Sequence, residues 1–245
     1  MSCCTPEKTW HLGSYRYPFY RYTVEESAFK HHPKTLLDAG CGPEGSSLSC
    51  FSNYFFVGVD ICRANVKASK KKYPKKEYIL ASLTCLPFKK GSFEEIVCVD
   101  VIEHIDDKSA VFNELSRVVQ VNGHFVGSTS NMMNPLLFFD SFLPNFSAPL
   151  QNKFSPGHYE RHKRVSPKSL FKGLFDAGFR SEYRIFGFPL FNPWFYQYGN
   201  VTVPFYGLVW ICMDRLFSFR LFVFLKETLV WMAEKQSDGV QESKI

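Results

Sequence analysis

The sequence predicts an α/β protein built on a doubly wound, largely parallel sheet. Three observations predict it. Short apolar runs alternate with helix-like stretches from residue 34 onward. The first run, Thr35–Asp38, ends in a carboxylate and breaks into closely spaced glycines at Gly40, Gly42 and Gly45. The second, Phe55–Asp60, also ends in a carboxylate, 20 residues beyond Gly40.

The elements follow in order. A helix is expected at Ser46–Phe51, and a lysine-rich polar helix at Ala64–Tyr73, stopped by Pro74. Glu77–Ala81 reads as a third strand. Glu95–Val99 reads as a fourth, apolar enough after Glu95 to be central. Lys108–Val119 carries apolar residues at 111, 112, 115, 118 and 119, one helical face. Asn122-Gly123 predicts a turn into a fifth strand at His124–Ser128. Ser166-Pro167 predicts a helix start and Gly178 its stop after Ala177. Glu182–Phe186 and Thr228–Ala233 are the remaining strand candidates.

A chain of 245 residues is long enough for one sizeable core. Its net charge of +6 permits attraction to anionic surfaces without requiring a nucleic-acid partner. Lys70-Lys71-Lys72 with Lys75 and Lys76 reads as a solvated helix end, because a nucleic-acid site needs a broader basic face with stacking residues. The cysteines at 3, 4, 41, 50, 62, 85, 98 and 212 form no C-x-x-C pair, which predicts reduced thiols in a cytoplasmic protein and no metal. Met1–Lys8 contains no apolar stretch, so no secretory leader is expected.

Gly40 and Gly42 lack a Cβ, so the loop after the first strand can take positive φ and let a ligand lie against its backbone. Asp60 falls beside that loop, where it can accept from both hydroxyls of a ribose; its other role would be to cap the following helix. The loop also satisfies G-x-G-x-x-G, and these residues alone leave a dinucleotide and S-adenosylmethionine both open.

Further motifs separate the two. Leu36–Gly42, Val57–Asp60, Leu86-Pro87-Phe88 leading to Gly91–Val97, Val101-Ile102-Glu103-His104-Ile105, and Glu114–Val119 followed by Asn122-Gly123-His124 occur in the order found in class I S-adenosylmethionine-dependent methyltransferases. The chain resembles especially the ubiquinone and menaquinone biosynthesis group of that family. The resemblance implies a Rossmann-like, seven-stranded, mostly parallel sheet with an antiparallel last strand, and S-adenosyl-L-methionine as cofactor. It places Gly40, Cys41 and Gly42 under the methionyl part, with Asp38 fixing its ends. Asp60 would hold the ribose, and Ile61 would lie against the adenine. Ser82, Leu83 and Thr84 would border the adenine edge. Asp100 and Glu103 are candidates to contact cofactor or substrate, with capping of the next turn as the alternative role of Asp100. Ser82 and Cys85 stand where many relatives have acidic residues, which implies adenine recognition through main-chain groups.

Methyl transfer needs an acceptor held in line and shielded from water, and at most modest base assistance. The candidate bases are His104, after the fourth strand, and His158 and His162 in a basic stretch before the Ser166 helix. Each has a plainer alternative: His104 as a structural tie, the other two as part of a solvated loop.

Aromatic residues make up 17% of the chain, and most of the excess lies beyond residue 135. The expected organisation is a lid segment 1–33, a cofactor-binding core 34–131, an insertion or cap 132–165, a C-terminal part 166–236 with an aromatic insertion at 189–226, and a frayed tail 237–245. The uncharged run Val203–Met213 spans 11 residues, short of the ~20 a spanning helix needs. The aromatic half therefore reads as a pocket cap, a homodimer interface, or a surface in peripheral contact with a membrane. Together these point to a methyltransferase acting on a small hydrophobic, quinone-like or lipid-like molecule. An NAD-dependent oxidoreductase using the same loop, or a non-catalytic methyltransferase-like binding domain, are the alternatives.

Overall fold

A computed structural model describes residues 34–43, 55–130, 165–186 and 228–237. The helix expected at Ser46–Phe51, the segment 1–33 and the insertion 189–226 lie outside the described residues, as does the insertion 132–165 apart from Val165.

Strands β1 (Thr35–Ala39), β2 (Phe55–Asp60), β3 (Glu77–Leu80), β4 (Phe93–Val99), β5 (Val119–Ser130), β6 (Phe179–Phe186) and β7 (Thr228–Lys235) form one sheet in the order β3-β2-β1-β4-β5-β7-β6. All neighbours pair parallel except β7, which runs antiparallel to both β5 and β6. Chain order reverses between β1 and β4, so the carboxyl ends of these two strands open a crevice at the switch point.

Apolar residues on both faces of β1, β4 and β5 require cover on both sides. Helices α2 (Lys108–Val118) and α3 (Pro167–Asp176) bury Val111, Phe112, Leu115, Val118, Leu170 and Leu174 against one face, with Leu37, Ile96 and Phe125. Each such side chain contributes about 1.5–3 kcal/mol. Phe125 sits at the centre of this layer, its ring 5.8 Å from Trp231 edge-to-face and 5.7 Å from Phe179. Gly127 makes room for that packing, because a Cβ there would overlap the Trp231 indole and the Cys98 carbonyl. On the opposite face Leu36, Phe56, Val97, Val126 and Val230 form a second buried cluster.

Local signals act as the sequence suggests. Ser166 caps α3 by accepting from Ser169 N at 3.1 Å, Pro167 opens it, and Gly178 follows it at φ +85°. The lysine-rich helix α1 spans Arg63–Lys72. One boundary differs. The helix expected to run through Val119 stops at Val118, and β5 begins at once and passes through Asn122 and Gly123. Asn122 takes φ +62° inside the strand instead of ending it, near a register shift opposite Phe93 and Glu95. Asn tolerates this conformation better than most residues. Lys235, itself buried, donates to the carbonyls of Ser116 at 2.5 Å and Val119 at 3.2 Å, joining β7 to the end of α2.

Glu95 lies at the amino end of β4, fully buried, paired in register with Leu36 and His124. Its Oε2 is 3.7 Å from His124 Nδ1, and neither carboxyl oxygen accepts a hydrogen bond. Burial pushes its pKa up to about 9, so at neutral pH the contact joins a protonated acid to the imidazole instead of forming an ion pair. The unfolded chain releases this proton near 4.5 and the folded chain near 9, so between those values folding retains a proton and stability falls as pH rises. Glu95→Gln should remove that dependence. In urea titrations the variant should gain on the parent protein as pH rises through the window, by up to about 1.4 kcal/mol per pH unit. Equal pH profiles for the two proteins would show Glu95 to be ionised in the fold.

Candidate functional site at the switch point

The site grows from the end of β1. Asp38 and Ala39 are buried in the strand, and the chain then turns through Gly40 at φ +87° and Gly42 at φ +62°. Gly40 N and Cys41 N both donate to the carbonyl of Val59, at 2.8 and 3.0 Å, so the turn is laid across the end of β2. Gly40 is packed beneath Val101, where a Cβ would overlap the valine methyls. Gly42 differs: a Cβ there would meet nothing within 4 Å, so its side of the loop faces open space.

Asp60 is the hub of the loops. Its Oδ2 accepts from Gly42 N at 3.0 Å and its Oδ1 from Cys62 N at 2.7 Å, while Asn65 Nδ2 approaches both oxygens at 3.2 and 3.3 Å. The carboxylate ties the glycine turn of β1 to the start of α1, although Cys62, not Asp60, is the N-cap residue. Ser69, four residues after Asn65 and wholly buried, donates its hydroxyl to the Gly42 carbonyl at 2.7 Å. Asn65 and Ser69 were not singled out from the sequence. Their signal was available: two short polar residues one turn apart, on the helix that follows the acid.

Ile61 projects past Asp60 and is 76% exposed, an apolar side chain left open beside a buried carboxylate. The next turn holds Ser82, Leu83 and Thr84. Ser82 Oγ lies 2.8 Å from Thr84 Oγ1 and accepts from Thr84 N at 3.2 Å, while Leu83 is buried as a peg. At the end of β4, Asp100 takes φ +53°, and the Ser128 hydroxyl donates to it at 2.9 Å. Glu103, buried, accepts from Thr129 at 2.9 Å. His104 follows it, exposed, in the short turn Ile102–His104. The fold thus gathers Asp38, Gly40, Cys41, Gly42, Asp60, Ile61, Ser82, Leu83, Thr84, Asp100 and His104 on the carboxyl side of the sheet. His158 and His162 lie outside the described residues.

The carboxylates make this edge electronegative. Burial first, then Asp38 and Asp60, push the Cys41 thiol far up. Burial, then Glu103, Asp38 and Asp100, do the same to Cys98. Both thiols stay neutral, and the edge favours a ligand carrying positive charge. Gly42 presents an open side, and exposed Ile61 stands next to Asp60 on this edge.

The seven-stranded sheet with its antiparallel strand, the glycine turn after β1 and the acid closing β2 are those that the resemblance to class I methyltransferases implied. Residues 37–127 match the family described as a methyltransferase domain. A protein of Mycolicibacterium smegmatis described as a probable S-adenosylmethionine-dependent methyltransferase is 28% identical over 174 residues, covering 70% of this chain and 62% of its own length. A 2-methyl-6-phytyl-1,4-hydroquinone methyltransferase of Synechocystis is 31% identical over 115 residues, covering 43% and 36%. The chain thus spans less than two thirds of these relatives. Among solved structures, an S-adenosylmethionine-dependent methyltransferase of Methanosarcina mazei superposes with a TM-score of 0.61 at 18% identity, covering 88% of this chain and 98% of that one, a likeness of fold.

Gly40 tests the packing of the turn. Gly40→Ala should destabilise the protein by about 2–4 kcal/mol, from overlap with Val101 and from positive φ together. Val101→Ala in the same chain should restore part of the loss, since it relieves the overlap and leaves the backbone strain. No recovery in chemical denaturation would mean that Val101 does not confine the turn.

Proposed function

We propose that this protein is an S-adenosylmethionine-dependent methyltransferase that alkylates a small hydrophobic acceptor. The observation that carries the reading is the Asp60 hub: a buried carboxylate at the end of β2, bound to the backbone of the glycine turn, with exposed Ile61 at its side.

The cofactor, when bound, supplies an electrophilic methyl group on a sulfonium. Asp60 would hold the ribose hydroxyls in place of the Asn65 amide that now approaches both of its oxygens, and Ile61 would cover one face of the adenine. Ser82, Leu83 and Thr84 border the adenine edge. Gly40, Cys41, Gly42 and Asp38 receive the methionyl end, where the absence of a side chain on Gly42 admits it. Asp38, Asp100 and Glu103 set a negative field at the carboxyl edge that suits a cation. Asp100 shapes the wall towards the acceptor. An acceptor held in line gains most of its rate from orientation, and His104 is the described residue best placed to take its proton.

Support for a hydrophobic acceptor comes from the aromatic excess beyond residue 135 and from the hydroquinone named for the Synechocystis relative. No helix among the described residues is long and apolar enough to cross a membrane. Peripheral membrane contact and a homodimer are further proposals for the aromatic half; a cap or pocket over the acceptor suits the hydrophobic substrate best.

Calorimetry should give saturable binding of S-adenosylmethionine and S-adenosylhomocysteine and none of NAD. Labelled methyl from the cofactor should pass to an organic-soluble product when the protein is supplied with a lipid and quinone extract. NAD binding in place of S-adenosylmethionine would favour the oxidoreductase, and cofactor binding without product from any extract fraction would favour a binding domain.

Once an acceptor is known, His104→Gln, His158→Gln and His162→Gln should separate the candidate bases. A base contributes typically 10²–10⁴-fold. At least one variant should lose roughly 100-fold in kcat, with cofactor affinity unchanged. Near-normal turnover in all three would remove histidine from the chemistry.

A further inference from the structure

Two motifs, Leu86-Pro87-Phe88 and Glu114–Val119, lie far apart in sequence and have no part in the site as described above. The fold brings them into contact. Glu114 and Arg117 occupy one side of α2, three residues apart, and form a paired unit. Arg117 Nε donates to Glu114 Oε2 at 2.8 Å, and Nη2 to Glu114 Oε1 at 2.7 Å. The pair then turns outward to the backbone of the segment after β3. Glu114 Oε1 accepts from Leu86 N at 2.6 Å, Arg117 Nη2 donates to Leu86 O at 3.1 Å, and Nη1 donates to Phe88 O at 2.7 Å. Both main-chain groups of Leu86 are therefore held by one ion pair.

This segment continues directly from the turn assigned to the adenine edge. The hydrogen bonds inside that turn, Cys85 N to Ser82 O and those between Ser82 and Thr84, lie at exposed positions and hold it weakly. Its position is set at its two ends. Upstream, Ala81 N donates to Asp60 O at 3.2 Å, which links the turn to the ribose acid. Downstream, the Glu114–Arg117 pair is the anchor, and Leu83 and Leu86 are buried pegs between the two. The hydrogen bond from Arg117 holds the Glu114 carboxyl below its ordinary range, so the pair is charged at neutral pH. A planar fork can satisfy two carbonyls and a carboxylate together, which a lysine cannot.

We infer that Glu114 and Arg117 are positioning residues for the adenosine half of the cofactor, holding residues 82–88 where the adenine edge is met. The inference rests on the methyltransferase reading above. A pair that merely stitched α2 to a surface loop would affect stability and leave cofactor affinity alone.

The test uses the full chain with Arg117→Met, Arg117→Lys and Glu114→Gln, and Lys172→Ala as a control that breaks an exposed pair on α3. Affinity for S-adenosylhomocysteine is measured by calorimetry well below each variant's Tm, adenosine affinity by competition, and amide exchange on the ligand-free proteins. Arg117→Met should weaken S-adenosylhomocysteine by about tenfold and adenosine by the same factor, with Arg117→Lys and Glu114→Gln losing at least about threefold. Exchange should rise across residues 82–88 and stay unchanged at Gly40–Gly42, and Lys172→Ala should match the parent in every measurement. Unchanged affinity in folded Arg117→Met overturns the inference and leaves the methyltransferase reading standing. So does a loss accompanied by equal loosening at Gly40–Gly42. If Arg117→Met does not fold, parent-like affinity in the other two variants overturns it equally. A parent protein that binds no S-adenosylhomocysteine overturns both.

Discussion

The carboxylate of Asp60 reaches across two loops and satisfies the backbone of both, and the carboxyl edge of the sheet is organised around it. Without an acceptor there, the amides of Gly42 and Cys62 would be left poorly satisfied at about 1–3 kcal/mol each. The glycine turn would then hang on its bonds to Val59 and on the Ser69 hydroxyl. One acid thus serves as structural joint and as the group nearest the proposed ribose. The economy has a chemical reason: an ionised carboxylate carries about four acceptor sites, of which the two loops take two, and the Asn65 amide, on a side chain that can turn away, shares the rest.

The same edge shows how a parallel sheet turns topology into electrostatics. β1, β2 and β4 each finish near an acid, Asp38, Asp60 and Asp100, because each must leave the apolar layer at the same level. Hydroxyls on β5 meet the later ones, Ser128 facing Asp100 and Thr129 facing Glu103. The thiols between them, Cys41 and Cys98, are kept protonated and so add no charge. What results is a shallow negative rim on an apolar body, with Gly42 as its open step.

Much of this was legible in the sequence, for identifiable reasons. Strands announce themselves by apolar runs closed by an acid, and α3 by Ser166-Pro167 and Gly178, so fold class and the roster of loop residues could be read directly. The boundary at Val119 could not, because Asn122-Gly123 has the composition of a turn and only the register against Glu95 reveals a strand bent through it. The tethers were only half legible: Asn65 and Ser69 stand one turn apart after the acid, and Glu114 and Arg117 belong to a quoted motif, but the loops they hold show only in the fold. Glu95 is a charged residue within an otherwise apolar strand, and its protonated state depends on burial that no local pattern discloses.

The insertion of β7 between β5 and β6 governs the order in which the molecule can be assembled. Residues 228–235 fill a gap whose walls were made long before, pairing Val126 with Met232 and Ser181 with Ala233. During synthesis β1 to β5 can associate in sequence, each new strand adding to an existing neighbour. β6 must wait, because among the described residues only β7 pairs with it. Until β7 is made, β5 lacks the partner it pairs with in the fold, and unpaired strand edges are prone to pair with other chains. Closure therefore depends on pairing residues 124–130 with 228–234, a long-range contact of the kind that slows folding.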